Sequence, residues 1–498
     1  MTRNSRASPI EIPKRETYFL LQTERKTLHH NGWGRMGSSS KANCHFDALI
    51  LGCGSAGTTA AKRLRADGHT VAVVERDQPG GDCPLRACVP TKALLRSAQV
   101  YSLLKRAGAF GIEAGTVGFD WAKVMARKQD IIRQTGVAGA AEKFERQGIA
   151  LFQGEASFQD EHSLRVAGQV LRGERILIAS GSQPARPDIP GLDEVKPITS
   201  AEAVSLAKLP ASMIIIGGGP VGCEFAQLFS TFGVKVVLLH KGEALLPREE
   251  PELSRVVQDA LEENGVIFKS SAKVYQFSKS GTQKKARVGV RGEMHDPVAE
   301  EILIATGRDA RTVGLGLSAA GVATERGRVQ VNDFLQTSRP QIYAAGDVCG
   351  PLLYTHFAHY QGRVAAANMF ADKPVRADYR VVPRVTFTEP PIASVGLTEE
   401  QAHATGRDVR CALIEVATLG KALVESEAKG LVKLVADAGS GEILGGHIVA
   451  AAAGEMIHEV VVAMAAHATV PSLAEAIHAF PNFAEGVKAA ARQWVAAR

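Results

Sequence analysis

Twice along these 498 residues a short apolar run ends in Gly-x-Gly-x-x-Gly and gives way to a helical pattern, and no other feature constrains the fold as tightly. Asp47–Leu51 leads into Gly52-Cys-Gly54-Ser-Ala-Gly57, a helical stretch at 58–66 and a strand at 70–75. Ser212–Ile216 leads into Gly217-Gly-Gly219-Pro-Val-Gly222, a helical stretch at 224–232 and a strand at 235–240. Glycines at this spacing permit a tight turn and bring a pyrophosphate against the backbone N–H groups that open the helix. One match alone is weak. Two, each inside a strand–helix–strand pattern, predict an α/β chain with two dinucleotide-binding folds. The residue that closes the second strand reads the ribose, and it is Glu75 in the first unit and His240 in the second, each 23 residues past the first glycine. Glu75 is suited to accept hydrogen bonds from ribose hydroxyls. His240 followed by Lys241 offers no acid, which predicts tolerance of a 2′-phosphate unless the pair is only a solvated strand end.

The rest of the composition is that of a globular chain. With 45% hydrophobic and 22% charged residues it can bury several cores, and pervasive disorder is excluded. At roughly 150 residues per domain the length suggests about three domains. The Ala-rich tract near 448–470 is interrupted by Glu455, His458, Glu459 and His467, which leaves no membrane span. The net charge of +6 is concentrated at the start, where residues 1–45 hold eight Lys/Arg against three Glu. The near-neutral body gives no electrostatic footprint for nucleic acid. The basic head lacks the apolar core of a secretory signal, so a tail, or a true start at Met36, is favoured over organellar targeting, and a cytoplasmic location is expected. Seven cysteines at irregular spacing are not a secreted disulfide framework, and Cys83 and Cys88 lack a second pair for zinc. No metal site is expected.

Cys83 and Cys88 lie in Gly80-Gly-Asp-Cys83-Pro-Leu-Arg-Ala-Cys88-Val-Pro-Thr-Lys92. Two thiols at this spacing at the start of a helical run can close a small disulfide ring, and the helix dipole with Arg86 favours thiolate there. The stretch resembles the class I pyridine nucleotide–disulfide oxidoreductases, the family of dihydrolipoamide dehydrogenase, glutathione reductase and mercuric reductase. The glycine pair Gly80–Gly81, the Cys-x4-Cys and the Pro90-x-Lys92 fall at the family's spacing, with Leu85 and Ala87 where it usually has Asn and Gly. Ile178–Ser182 and Ile304–Arg308 resemble the family's two strand-ending turns, at Gly181 and Gly307. Thr337–Asp347 resembles its second flavin motif, in which the Asp meets the ribityl–phosphate region, and Pro383–Glu399 resembles the start of its dimerisation domain.

The resemblance covers 46–498. It implies an FAD domain in two parts (46–200 and 335–380), an inserted NAD(P)-binding domain (201–334) and an α+β dimerisation domain (381–498) that forms a homodimer. FAD would rest on Gly52, Gly54, Gly57, Glu75, Lys92 and Asp347, NAD(P)H on Gly217, Gly219, Gly222, His240 and Lys241, with Gly181 and Gly307 in the cofactor cradle. The implied activity is a relay from NAD(P)H through flavin to the Cys83–Cys88 disulfide and on to a small acceptor. Cys88 would face the flavin, Cys83 would exchange with substrate, Lys92 would stand beside flavin N5, and Glu224 would pair with Lys92.

The C-terminus departs from the family. Its disulfide reductases carry His-Pro-Thr with a Glu five residues after the His, a pair that protonates the leaving thiol across the dimer interface. Here the segment reads Ala476-Ile-His478-Ala-Phe480-Pro481-Asn482-Phe-Ala-Glu485, so the Glu is present and Phe480 holds the histidine's place. His478 is the nearest substitute, with a structural histidine the favoured reading. The chain ends Gln493–Arg498 without the vicinal cysteines of mercuric reductases, and its head holds no Cys-x-x-Cys metal-binding module, so specialisation for mercury is not expected. The expected acceptor is therefore a metal ion, a quinone or an unusual disulfide. The alternatives are a lipoamide-dehydrogenase-type component of a larger complex, which Phe480 disfavours, and a non-enzymatic flavin redox sensor.

Overall fold

The computed structural model describes residues 44–497, and the expectations for the basic head fall almost wholly outside them. The first glycine unit comprises β1 (His45–Leu51), α1 (Ser55–Ala66) and β2 (Val71–Glu75). The helix starts three residues before the pattern suggested, because Gly54 is itself its N-cap in an extended conformation. Gly52 takes φ +106°, and a Cβ there would stand 2.4 Å from the Ala179 carbonyl oxygen; one on Gly57 would stand 2.0 Å from that of Gly52. The first glycine thus makes the turn and the third lets helix and strand meet.

A short helix and a long one carry the redox motif, α2 (Asp82–Arg86) and α3 (Cys88–Lys105), and β3 (Ala150–Gln153), β4 (Ala156–Asp160), β5 (Ser163–Val166) and β6 (Gln169–Ile178) come after them. The sheet runs β3-β2-β1-β6-β5-β4, parallel through β6 and antiparallel beyond it.

From β6 the chain passes through β7 (Ser182–Pro184) into the second unit, β8 (Ser212–Ile216), α4 (Pro220–Thr231) and β9 (Lys235–Leu239). α4 starts at Pro220, a residue pre-set for the first helical position, rather than at Glu224. α5 (Pro251–Glu263), β10 (Ile267–Lys269) and β11 (Glu301–Ile304) complete a parallel sheet in the order β10-β9-β8-β11. Its central strand Ser212-Met-Ile-Ile-Ile is buried on both faces, which explains a continuous apolar run in place of alternation. The return crossing, β12 (Arg308–Ala310), pairs antiparallel with β7. The chain then re-enters the first sheet as β13 (Ile342–Ala344), parallel to β6, and continues into α6 (Thr355–Met369).

The C-terminal domain is a five-stranded antiparallel sheet of β14 (Arg384–Thr386), β15 (Ile392–Gly396), β16 (Val409–Glu415), β17 (Leu431–Asp437) and β18 (Ile443–Val449), in the order β14-β15-β18-β17-β16. α7 (Ala453–Ala465) and α8 (Glu485–Ala496) cover it, burying Met456, Ile457, Val487 and Trp494. Adjacent glutamates ahead of α5 tie the second fold to this domain. Glu249 accepts from Arg384 Nε (2.7 Å) and Ser394 Oγ (2.5 Å), and Glu250 from Lys433 Nζ (2.9 Å) and the Glu399 N–H (2.6 Å). Among the described residues no helix is long and apolar enough to cross a membrane.

Candidate active site

The two cysteines open separate helices, not one helical run. Ala87 leaves helical geometry (φ −129°, ψ −99°) between α2 and α3, and Cys88 becomes the first residue of an 18-residue helix. In this structure both cysteines are free, and each is the largest single influence on the other's proton affinity. Cys88 Sγ is also 3.4 Å from Thr355 Oγ1, on the first residue of α6. The hydrogen bond from Cys83 is the largest influence on Cys88. Together with Thr355 and the Lys92 charge it outweighs burial and holds the Cys88 thiol down to about 6. Cys83, which keeps the shared proton and is itself part-buried, is pushed up. At neutral pH the reduced pair is thus a thiol at Cys83 and a thiolate at Cys88.

Lys92 lies one turn beyond Cys88 on the same helix face. Its ammonium is 2.8 and 3.0 Å from the two carboxylate oxygens of Glu224, on α4, and 4.7 Å from the centre of the Phe387 ring. Glu224 is 4% exposed and also accepts the Phe387 N–H at 2.9 Å. Packing makes this meeting unavoidable, since Leu94, Leu95 and Ala98 of α3 share a core with Cys223, Phe225 and Ala226 of α4. Lys92→Met, which strands a buried carboxylate, is expected to lower unfolding stability by about 2 kcal/mol, short of the roughly 3–5 kcal/mol of a fully buried pair because Lys92 is one-third exposed. Adding Glu224→Gln should recover most of that loss in chemical denaturation.

The remaining expected residues fall into four places. Glu75 accepts the Cys53 N–H (2.8 Å) and the Asp77 N–H (2.9 Å), beside the Gly52–Gly57 turn. His240, just past β9, accepts the Gly218 N–H on Nδ1 (3.1 Å), beside Gly217, Gly219 and Gly222, and Lys241 is exposed. Gly181 and Gly307, both at positive φ, precede β7 and β12. Asp347 accepts from Ser182 Oγ (2.5 Å), which also accepts from Arg308 Nε (2.6 Å), while Arg308 Nη2 donates to Asp82 (2.8 Å). A polar chain thus joins Asp347 to the residue before Cys83.

Glu485 is not brought to the thiols within one chain. It opens α8 and accepts the Asn482 N–H at 3.0 Å, and no hydrogen bond or ion pair joins it to Cys83 or Cys88. Phe480 is 80% exposed, next to Ile477 at 96%. His478 does not replace the missing histidine, because its ring is spent on Glu459 Oε1 (2.8 Å) and the Ala476 carbonyl (3.2 Å). Thr355 and Phe387 were missed by the sequence reading. A hydroxyl opening a helix was a signal for Thr355; for Phe387, which acts through its backbone N–H and ring face, there was none.

The first fold fits FAD. A Cβ on Gly81 would come within 2.7 Å of Gly54 Cα, whereas one on Gly54 would meet nothing nearer than 4.0 Å, so facing glycines border open space at the start of α1. Beside this turn Arg311 Nε is buried without a hydrogen-bond partner, an unused donor on the cationic flank of Asp82.

Comparison with known proteins agrees along the length of the described chain. The pyridine nucleotide-disulphide oxidoreductase profile matches residues 46–367, and the dimerisation domain of the same family matches 382–491. A mercuric reductase of Staphylococcus aureus is 35% identical over 447 residues, 90% of this chain and 82% of the relative. A dihydrolipoyl dehydrogenase of Bacillus subtilis is 34% identical over 463 residues, covering 90% and 97%. Among solved structures, the HOCl-induced flavoprotein disulfide reductase RclA of Escherichia coli, in its Cu(II) complex, superposes with a TM-score of 0.81 at 30% identity, covering 90% of this chain and 99% of that one. With paired cysteines, a lysine–glutamate pair beside them and two dinucleotide folds in place, the chain belongs to the pyridine nucleotide–disulfide oxidoreductases, flavin enzymes whose members bind FAD and use NAD(P)H.

Proposed function

We propose that this protein passes electron pairs from NAD(P)H through FAD and the Cys83–Cys88 disulfide to a thiophilic metal ion, working as a homodimer built on its C-terminal domain. Bound FAD supplies the two-electron carrier between nicotinamide and disulfide. Gly52, Gly54, Gly57, Glu75, Asp347 and Lys92 hold it, and Gly217, Gly219, Gly222, His240 and Lys241 hold the dinucleotide. Lys92, aimed by Glu224, places its ammonium where the reduced carrier needs a positive charge. The disulfide takes two electrons and one proton to become a thiol at Cys83 and a thiolate at Cys88, the thiolate favoured by Thr355 and Lys92. Cys83 is the thiol that meets the acceptor. As the disulfide closes again the pair releases two electrons and its remaining proton, enough to take two Cu(II) to Cu(I), or one Hg(II) to Hg(0).

The observation that carries this reading is the C-terminal segment. Reducing an external disulfide requires a proton for the leaving thiolate, and a positioned acid/base contributes about 10²–10⁴-fold to such steps. Phe480 has no proton to give, and His478 is committed to Glu459. A metal ion needs thiolate, not an acid. The mercuric reductases and the Cu(II)-binding RclA among the relatives support the same class of acceptor. The test is one acceptor panel under anaerobic conditions with both nicotinamide dinucleotides: Cu(II), Hg(II), a benzoquinone, lipoamide and glutathione disulfide. Metal reduction at least about 100-fold above either disulfide is expected. Lipoamide turnover equal to metal reduction would return the protein to the lipoamide-dehydrogenase reading.

A further inference from the structure

α6 opens with the hydroxyl that bears on both thiols, and two histidines follow it within one helical turn. Thr355 Oγ1 lies 3.4 Å from Cys88 Sγ and also lowers the proton affinity of Cys83. His356 is next in sequence, and His359 is four residues past Thr355 and three past His356, so it neighbours both on the helix surface. Both histidines are exposed. Close contact between α6 and α1 brings further groups to this surface. A Cβ on Gly362 would stand 2.4 Å from the Ala56 carbonyl oxygen, so only glycine lets the two helices meet there.

Each ring is anchored through one nitrogen. His356 Nε2 is 2.8 Å from the Pro383 carbonyl, at the start of the third domain, and its ring stacks on Tyr354 with centroids 5.5 Å apart. A carbonyl only accepts, so Nε2 carries the proton and Nδ1 keeps a lone pair. His359 Nδ1 is 2.6 Å from Thr59 Oγ1, on α1. Among the described residues, His356 Nδ1 and His359 Nε2 have no hydrogen-bond partner. Partial burial first, then the charges of His356 and Lys62, lowers the His359 pKa below the usual histidine value, so the ring is neutral at pH 7. A neutral imidazole with one nitrogen anchored and the other free is the usual state of a metal ligand.

We propose that His356 Nδ1 and His359 Nε2 form a landing site that takes Cu(II) from solution and passes it to Cys83, beside Thr355. The proposal rests on the reading that the acceptor is a metal ion, and it names the ion: imidazole suits Cu(II), whereas a softer ion would call for thiolate. With copper on Nε2, the His359 ring donates its Nδ1–H to Thr59. At the hand-over the copper–nitrogen bonds break, a copper–sulfur bond forms at Cys83, and the Cys83 proton leaves; no electron has yet moved. Two copper ions consume one reduced pair: the S–S bond forms and two Cu(II) become two Cu(I). Cu(I) favours sulfur, and the closed disulfide leaves it no thiolate, so it departs.

The test uses the FAD-loaded protein in its disulfide form, whose sulfurs cannot compete for metal. Cu(II) alone, in a weakly chelating buffer, is the probe, followed by calorimetry and by electron paramagnetic resonance. One Cu(II) per chain with nitrogen couplings is expected. His356→Ala and His359→Ala should each weaken binding at least about tenfold, and Thr59→Val, which removes only an anchor, by about tenfold. Under anaerobic turnover the two histidine variants should raise KM for Cu(II), with kcat at saturating Cu(II) within about a factor of two. His295→Ala, at an exposed histidine of the second fold, should change neither quantity. Equal Cu(II) binding by wild type and His359→Ala, or an equal loss in His295→Ala, overturns the site and leaves the relay standing. Weakened binding with KM unchanged overturns the hand-over. A wild type that reduces quinone but no metal ion overturns the acceptor reading, and this proposal with it.

Discussion

Cys88→Ser and Cys83→Ser will each lower metal reduction by about as much as removing both sulfurs, on the order of 10³-fold, because the pair acts as a unit. They will differ in colour. With its thiolate carrier gone, Cys88→Ser should show no long-wavelength absorbance of a thiolate beside oxidised flavin. Cys83→Ser leaves Cys88 in place with Thr355 and Lys92 beside it, and should show that band without added reductant. In the reduced wild type the band should be present above pH 6 and fade as pH falls through about 6, the value to which Cys83, Thr355 and Lys92 hold the Cys88 thiol. The direction follows from a lowered thiol pKa: the absorbing species is the deprotonated one, so acid removes it. Anaerobic titration is the check. A wild type that accepts only one electron pair excludes the disulfide from the relay.

The second large effect belongs to Phe480. Phe480→His restores the family's His–Glu spacing with Glu485, which already opens α8 and accepts a hydrogen bond from Asn482. Lipoamide and glutathione disulfide turnover should rise by up to about 10²-fold, the low end for a positioned acid/base, while metal and quinone reduction stay within a factor of about two. The ring at 480 is 80% exposed in a single chain, so the exchange disturbs no core. Rapid lipoamide turnover in the wild type would show that another group already supplies the proton. His478 is a poor candidate, since freeing its ring means breaking the 2.8 Å contact with Glu459.

What the sequence made legible was local. The glycine turns could be read because Gly52 and Gly217 adopt backbone angles that other residues avoid, and Cys88 with Lys92 because one helical turn separates them. Glu224 lies 132 residues from Lys92 and could be paired with it only through resemblance to a family. Thr355 is 267 residues from Cys88 and reaches it through the start of a helix whose placement only the folded chain determines. The break at Ala87 had a local signal that went unread: Pro90, two residues past Cys88, fits the first turn of a new helix and would break the interior of an unbroken run. The fate of His478 depended on whether a carboxylate from α7 met it, which spacing along its own segment does not encode.

One carboxylate described above touches all three domains. Glu224 comes from the second fold, its partner Lys92 from the first, and the N–H of Phe387 from the third. Domains of a chain this size fold largely as units and dock afterwards. Until the last has docked, the lysine beside the thiols lacks its counter-charge or the glutamate lacks a donor, and the electron-handling centre is unfinished. Redox competence therefore arrives in one step with the completion of assembly, and a chain whose third domain has come loose loses its catalytic geometry before it loses either nucleotide-binding fold.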